Sequence, residues 1–511
     1  MHRITIFTTF AYFISFTNGQ AGWTCGPNLD IISTTSRGNM TKPTIFQPTN
    51  NQSCTFNIIV PNGSYVVLDI TGNLVYPDKY YIVDSATIYN YMGNLILNNV
   101  TYYLPSGKNV LTLSTSSPLR RASTFAFTAT YRKLPTTNAI YHSTDKNMKP
   151  VIIYSIASQM SHIITSKSST LVLNILSNLN IASYTQYLIY DGSDITKAKP
   201  LGSLFFYAAG GISFPNGHKQ ITIVKLDGSV FKYPSDNTAV VINDYTNLRQ
   251  FNNNYGIQNL YTYSWTYQLN ASKDSPSALL LFSGSAQTQY ITNMTFSSNY
   301  ARLTVEAGGP TVDRVYALAT YNASTPSSVF PQLHQSQLRT YIAENGSVNI
   351  TFQSYVASNQ APFSLPTIGR SGFLTSSNYP FENLAMTDWY FFSDTDHPEN
   401  EFNFVVKSQQ IYFNGNISKV GNGTRRLSCS VYNTNDKYYL ISYKVFNTTD
   451  PSPKVLMSAT GNELLISFSE NPGADSGYFI TYQFDKPNSE TKFSCGPLFA
   501  FIIAISAWIS Q

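Results

Sequence analysis

Charge is what this sequence has least of: Lys, Arg, Asp and Glu make up 12% of its 511 residues, about half the ordinary share. The net charge is only +5, and no Lys/Arg run exceeds two residues. A nucleic-acid binder needs a basic stripe, so that partner class is excluded. Histidine numbers six, at positions 2, 142, 162, 218, 334 and 397, with neither H-x-x-x-H nor H-E-x-x-H spacing. Such scatter argues against a zinc site. G-x-S-x-G is absent, and Asp475-Ser476-Gly477 lacks the flanking glycines of a serine nucleophile, so it reads as the start of a strand. The expectation is a non-enzymatic protein without a cofactor. A secreted hydrolase is a remote alternative.

Cysteine is also scarce, with four residues in the whole chain. Cys25 and Cys54 lie close enough in sequence to pair, and a loop of that size stabilises by about 3–4 kcal/mol on the chain-entropy account. Cys429 and Cys495 pair with each other, or else Cys429 stays free because Cys495 is removed with the tail described below. Long apolar runs are missing as well. Residues 4–16 follow a short basic start and precede the small residues Gly19 and Ala21. That stretch is too short to span a bilayer and reads as a signal peptide over 1–21.

At the other end, residues 498–509 are mostly apolar and no Lys or Arg follows them. A dozen helical residues cover about 18 Å, against a hydrocarbon core of about 30 Å. A spacer and small residues precede this tail, which fits a GPI-attachment signal over 487–511, with Asn488 or Ser489 as the attachment site. A short transmembrane tail and a buried terminal strand are the alternatives. The expected location is the extracellular face of the plasma membrane, or outside the cell altogether.

What is abundant fits that route. Twelve N-x-S/T sequons stand at Asn39, Asn51, Asn62, Asn99, Asn270, Asn293, Asn322, Asn345, Asn349, Asn416, Asn422 and Asn447. Sugar at such sites replaces the missing charge as a solubilising surface. Aromatics reach 14%, with 37 Tyr, and they recur with period two. Phe125, Phe127 and Tyr131 share one face of a strand; so do Val348, Ile350 and Phe352, and so do Tyr478, Ile480, Tyr482 and Phe484. Turn clusters such as PNG at 61–63 and 215–217 and PSG at 105–107 separate such runs. No amphipathic helix longer than two turns is evident. The fold class is all-β, built of tandem antiparallel sandwiches.

A chain this long exceeds one core. Polar seams near 136–142, 247–256 and 359–370 divide it into units over 22–135, 136–248, 249–366 and 367–486.

In the last unit, GFLTSSNYP at 372–380 is similar to the opening motif of CUB domains, and Trp389 falls where those domains place a core tryptophan. SGYFITY at 476–482 resembles their closing strand, YLIYDG at 187–192 a central strand and turn, and WTCG at 23–26 with Cys54 the first disulfide. The chain thus resembles the CUB-like domain proteins of nematodes, most closely over 370–485 and 23–133. That resemblance implies jelly-roll-like sandwiches, secretion or membrane anchoring, a ligand that is an extracellular protein or glycan, and a part in innate defence against microbes. A structural coat or matrix component is the alternative. Some CUB domains hold Ca²⁺ through carboxylates; here Glu382, Asp388, Asp394, Asp396, Glu399 and Glu401 bunch together, with Asp394, Asp396 and Glu399 as the weak candidates. Their spacing departs from the family's pattern.

Overall fold

A computed structural model describes residues 29–33, 40–46, 52–74, 76–86, 89–93, 96–115, 123–135, 138–153, 160–177, 184–210, 217–226, 238–252, 254–259, 264–282, 289–334, 336, 338–354, 362–376, 379–380, 387–414, 426–434, 439–446, 454–469 and 475–487. The signal-peptide and anchor segments, with Cys25, Cys495, Asn488 and Ser489, lie outside these. So do Asn39, Asn51, Asn416, Asn422 and Asn447. The chain forms two compact units, residues 1–248 and 249–511.

The first unit opens with nine strands: β1 (Leu29–Ile31), β2 (Met40–Phe46), β3 (Gln52–Val60), β4 (Ser64–Asn73), β5 (Lys79–Val83), β6 (Tyr89–Gly93), β7 (Ile96–Leu104), β8 (Gly107–Thr115) and β9 (Ser123–Lys133). One sheet runs β1-β3-β8-β5-β6 and the other β2-β9-β4-β7. Only β1 and β3 run parallel. The period-two faces meet between the sheets, where Phe56 on β3 packs edge-on against Phe127 on β9 at 4.8 Å. Tyr131 reaches the margin of that core, and its hydroxyl donates to the Ile31 carbonyl at 2.6 Å.

The second sandwich contains β10 (Asn138–Thr144), β11 (Val151–Ile153), β12 (Met160–Ser166), β13 (Leu171–Ser177), β14 (Tyr187–Asp191), β15 (Lys199–Ser203), α1 (Leu204–Gly210), β16 (Gln220–Lys225), β17 (Thr238–Asp244) and α2 (Tyr245–Arg249). Its sheets run β10-β12-β16-β14-β15 and β11-β17-β13. Among the described residues this is the first sandwich's strand order without its seventh strand, and α1 occupies that place in the chain. α1 lies beside β13, the strand the missing one would pair with. Its Phe205 and Phe206 pack on Tyr102 of β7, with ring centroids 5.8 and 6.2 Å away, so an aromatic helix face replaces a strand where two sandwiches of one unit share a core. Residues 138–142, part of the first seam read from sequence, belong to β10. It is an edge strand paired on one side only, so alternation there is weak.

The second unit repeats the plan. β18 (Tyr255–Asn259), β19 (Trp265–Leu269), β20 (Ser277–Phe282), β21 (Gln289–Phe296), β22 (Arg302–Ala307), β23 (Ala317–Asn322), β24 (Gln332–His334), β25 (Leu338–Glu344) and β26 (Val348–Ser354) form sheets β18-β20-β25-β22-β23 and β19-β26-β21-β24. Strand for strand this is the order of the first sandwich, including the one parallel pair at the edge. The fourth sandwich has β27 (Ser371–Thr375), β28 (Thr387–Ser393), β29 (Phe402–Asn414), β30 (Arg426–Asn433), β31 (Tyr439–Phe446), β32 (Lys454–Gly461), β33 (Glu463–Ser469) and β34 (Asp475–Asp485). Its sheets, β27-β34-β29-β32 and β28-β33-β30-β31, repeat the same order without, among the described residues, the first, parallel edge strand. Four sandwiches therefore share one strand order, with the second and the fourth each lacking one edge strand among the described residues.

Within this unit the third and fourth sandwiches are tied by buried polar groups. Arg370 donates to the carbonyls of Leu365 at 2.8 Å and Pro331 at 2.6 Å while lying over the Phe363 ring. Gly372 sits so close to Gln332 and the Tyr482 ring that a β-carbon would collide with both side chains, which is why the opening motif needs glycine there.

Candidate interaction face

The fourth sandwich carries the site, and strand alternation builds it. On β28, Tyr390 and Phe392 point inward and are buried, so Trp389 and Phe391 must point outward. The tryptophan expected in the core is 70% exposed, because its two neighbours fill the core instead. Register extends two rows across the sheet. Trp389 lies beside Ser467, Ser467 beside Ser428, and Ser428 beside Val445. Phe391 lies beside Leu465, then Ser430, then Tyr443.

The result is a trough. Its walls are Trp389 and Phe391 on one edge and Tyr443 and Val445 on the other, all exposed. Its floor is Ser467, half-buried Leu465 and the buried Ser428 and Ser430, with Ser428 and Ser467 hydrogen-bonded at 2.7 Å. Neither row contains a charged side chain. Tyr439, Leu440 and Ile441 extend the apolar surface along β31, which among the described residues has no further strand on its outer side. Together these side chains expose on the order of several hundred Å² of mostly apolar surface, the size at which a patch marks an interaction site.

Other predicted residues have other roles. Asp394 is nearly buried, and its carboxylate accepts from the His397 backbone N–H and the Asn400 amide, both at 3.0 Å. It organises its own loop. Asp396 and Glu399 are exposed, and Glu399 pairs with His397 at 3.5 Å. Among the described residues no group of three or more His, Cys, Asp or Glu side chains could hold a metal ion. Cys54 is disulfide-bonded to a partner outside the described residues. Cys429 is free and fully buried, and burial pushes its thiol up to about 12. The side chains of Asn62, Asn270, Asn293, Asn322, Asn345 and Asn349 are exposed, while only the backbone of Asn99 is described. No helix among the described residues is long and apolar enough to cross a membrane.

Sequence reasoning missed Phe391, Tyr443 and Val445. The signal was present in YLISYKVF at 439–446, whose apolar residues fall on both faces, unlike the cleanly alternating strands.

This is a tandem array of antiparallel β-sandwiches with an uncharged aromatic face. Residues 26–135, the first sandwich, match the family described as CUB-like domain, and residues 244–355 match a domain of unknown function (DUF7591). The latter coincides with the third sandwich, so that domain has the CUB-like strand order. No curated protein matches the chain. Among solved structures, the CUB1-EGF-CUB2 domains of rat MASP-1 are 12% identical over 44% of this chain and 99% of that one, with a TM-score of 0.17. The human MASP-1/3 CUB1-EGF-CUB2 domain is 14% identical over 43% and 99%, also at 0.17.

Proposed function

We propose that the chain is a non-enzymatic, N-glycosylated, extracellular binding protein, held at the outer face of the plasma membrane by a GPI anchor. It acts by contact, and the trough on the fourth sandwich is its principal docking surface. The supporting observation is the concentration of exposed Trp389, Phe391, Tyr443 and Val445 around a serine floor. Aromatic walls bury area at small entropic loss, and hydroxyls satisfy a polar but uncharged ligand such as a protein loop or a neutral glycan. A role in defence against microbes follows from the CUB-like resemblance. A disulfide between Cys25 and Cys54 closes the first sandwich in this reading.

The test is saturable binding of the purified ectodomain to intact microbial cells and to a neutral-glycan array. Substituting both Trp389→Ser and Tyr443→Ser should reduce binding at least tenfold without lowering thermal stability. Equal binding by wild type and double variant rejects the face. Binding that tracks only the sugar content of the protein supports the coat or matrix role instead.

A further inference from the structure

We infer that, given the N-glycosylation proposed above, the cleft between the third and fourth sandwiches takes the first sugars of this chain's own N-glycan at Asn322. The cleft holds about 350 Å³, the small end of the range for a ligand site and room for one or two sugar rings. One wall is β23 and the turn after it. The other is the outer face of β27, β34 and β29 in the fourth sandwich.

The root of the glycan is within reach of the cleft. Leu318, Ala319, Thr320 and Tyr321 precede Asn322 and line it, and so does Thr325 just beyond. Asn322 is exposed, and its side-chain oxygen accepts from the Ser324 backbone N–H at 3.0 Å and from the Ser324 hydroxyl at 2.7 Å. The Thr325 hydroxyl, on the cleft wall, stands 3.5 Å from the same oxygen. The side-chain amide is therefore held by its oxygen, and the nitrogen that carries sugar makes no hydrogen bond among the described residues.

The lining suits a neutral sugar. Four consecutive residues of β23 border the cleft, as happens when a strand presents its edge rather than one face. Among the described residues β23 is the last strand of its sheet, so the backbone groups on its outer side have no ladder partner. The hydroxyls and acetamido groups of the first two sugars both donate and accept, which matches such an edge. Thr320, Thr325, Thr481 and Gln483 add polar side chains, while Leu318 and Val405 give the C–H face of a ring an apolar surface. Buried Gln332 contributes a side-chain oxygen with no hydrogen-bond partner. Among the described lining residues Lys407 is the one charged side chain. A sugar seated there touches both sandwiches and braces their contact.

The experiment is deglycosylation of the native full-length protein with peptide N-glycosidase, followed site by site by mass spectrometry. Sugar at Asn322 should come off at least tenfold more slowly than sugar at the other occupied sites, and equally fast once the protein is denatured. Gln483 and Lys407 are exposed on adjacent strands of the opposite wall. Gln483→Trp fills the cleft from that side and should abolish the difference without changing occupancy at Asn322. Lys407→Trp serves the same purpose if the first variant folds poorly. The variants separate docking from simple crowding around Asn322. Equal removal rates in the native wild type, or protection that persists in a folded variant, overturn the docking and leave the glycoprotein reading intact. Sugar at other sites with none at Asn322 does the same. A protein bearing no N-linked sugar anywhere overturns both.

Discussion

Asp244 shows how a sequence poor in charge uses the charges it keeps. Its buried carboxylate accepts from the hydroxyls of Ser166, Ser168 and Ser169 and from the Thr246 backbone N–H. Burial alone would raise its pKa, but these donors outweigh that effect and hold it at about 2. The unfolded value is about 3.9, so the stabilisation is fully present above about pH 4 and is lost as pH falls through about 2. Asp244→Asn should lower stability by about 2 kcal/mol at pH 7 and by much less at pH 2, as measured by denaturant midpoints. Cys429 behaves in the opposite way. Its thiol is buried and kept protonated, the form least reactive toward oxidants and electrophiles. A thiol reagent should leave it untouched in the native protein and label it fully once guanidinium unfolds the chain.

Among the secondary-structure elements, β28 (Thr387–Ser393) divides within seven residues into a core face and an exposed aromatic face. Phe392 is fully buried and its ring packs on Tyr482 and Phe484 at 5.2 Å. Phe392→Ala should cost about 3–5 kcal/mol by opening a cavity, whereas Trp389→Ser one strand face away should change stability by less than about 1 kcal/mol. Thermal unfolding of the two variants makes the comparison. Similar losses in both would mean that the face is covered in the native protein.

Among the described residues, one strand order recurs four times with two edge variations: the second sandwich has α1 in place of one strand, and the fourth lacks the first edge strand. Edges vary because an edge strand supports fewer partners than a central one. If the terminal segments act as proposed, phosphatidylinositol-specific phospholipase C should release the protein from cells, with Cys495 absent from the mature chain. Retention after treatment rejects the anchor. Peptide N-glycosidase should lower the apparent mass stepwise and reduce solubility, since little charge remains to keep the bare surface in water.

Sandwich strands were legible wherever one face is buried and the other wet, as at Val348, Ile350 and Phe352, because the backbone alone imposes period two. The opening glycine and the closing strand of the fourth sandwich were legible as well. Three features depended on tertiary structure. Trp389 could be placed inward or outward only once register was known, since a one-residue shift reverses every side chain. The cleft beside Asn322 depends on the packing of β23 against the sheet of another sandwich. The trough depends on three strand junctions that bring β28 and β31 to opposite edges of one sheet. Composition and local alternation determined the class of protein. Register, which is set by long-range pairing, decided which of its aromatic side chains face solvent.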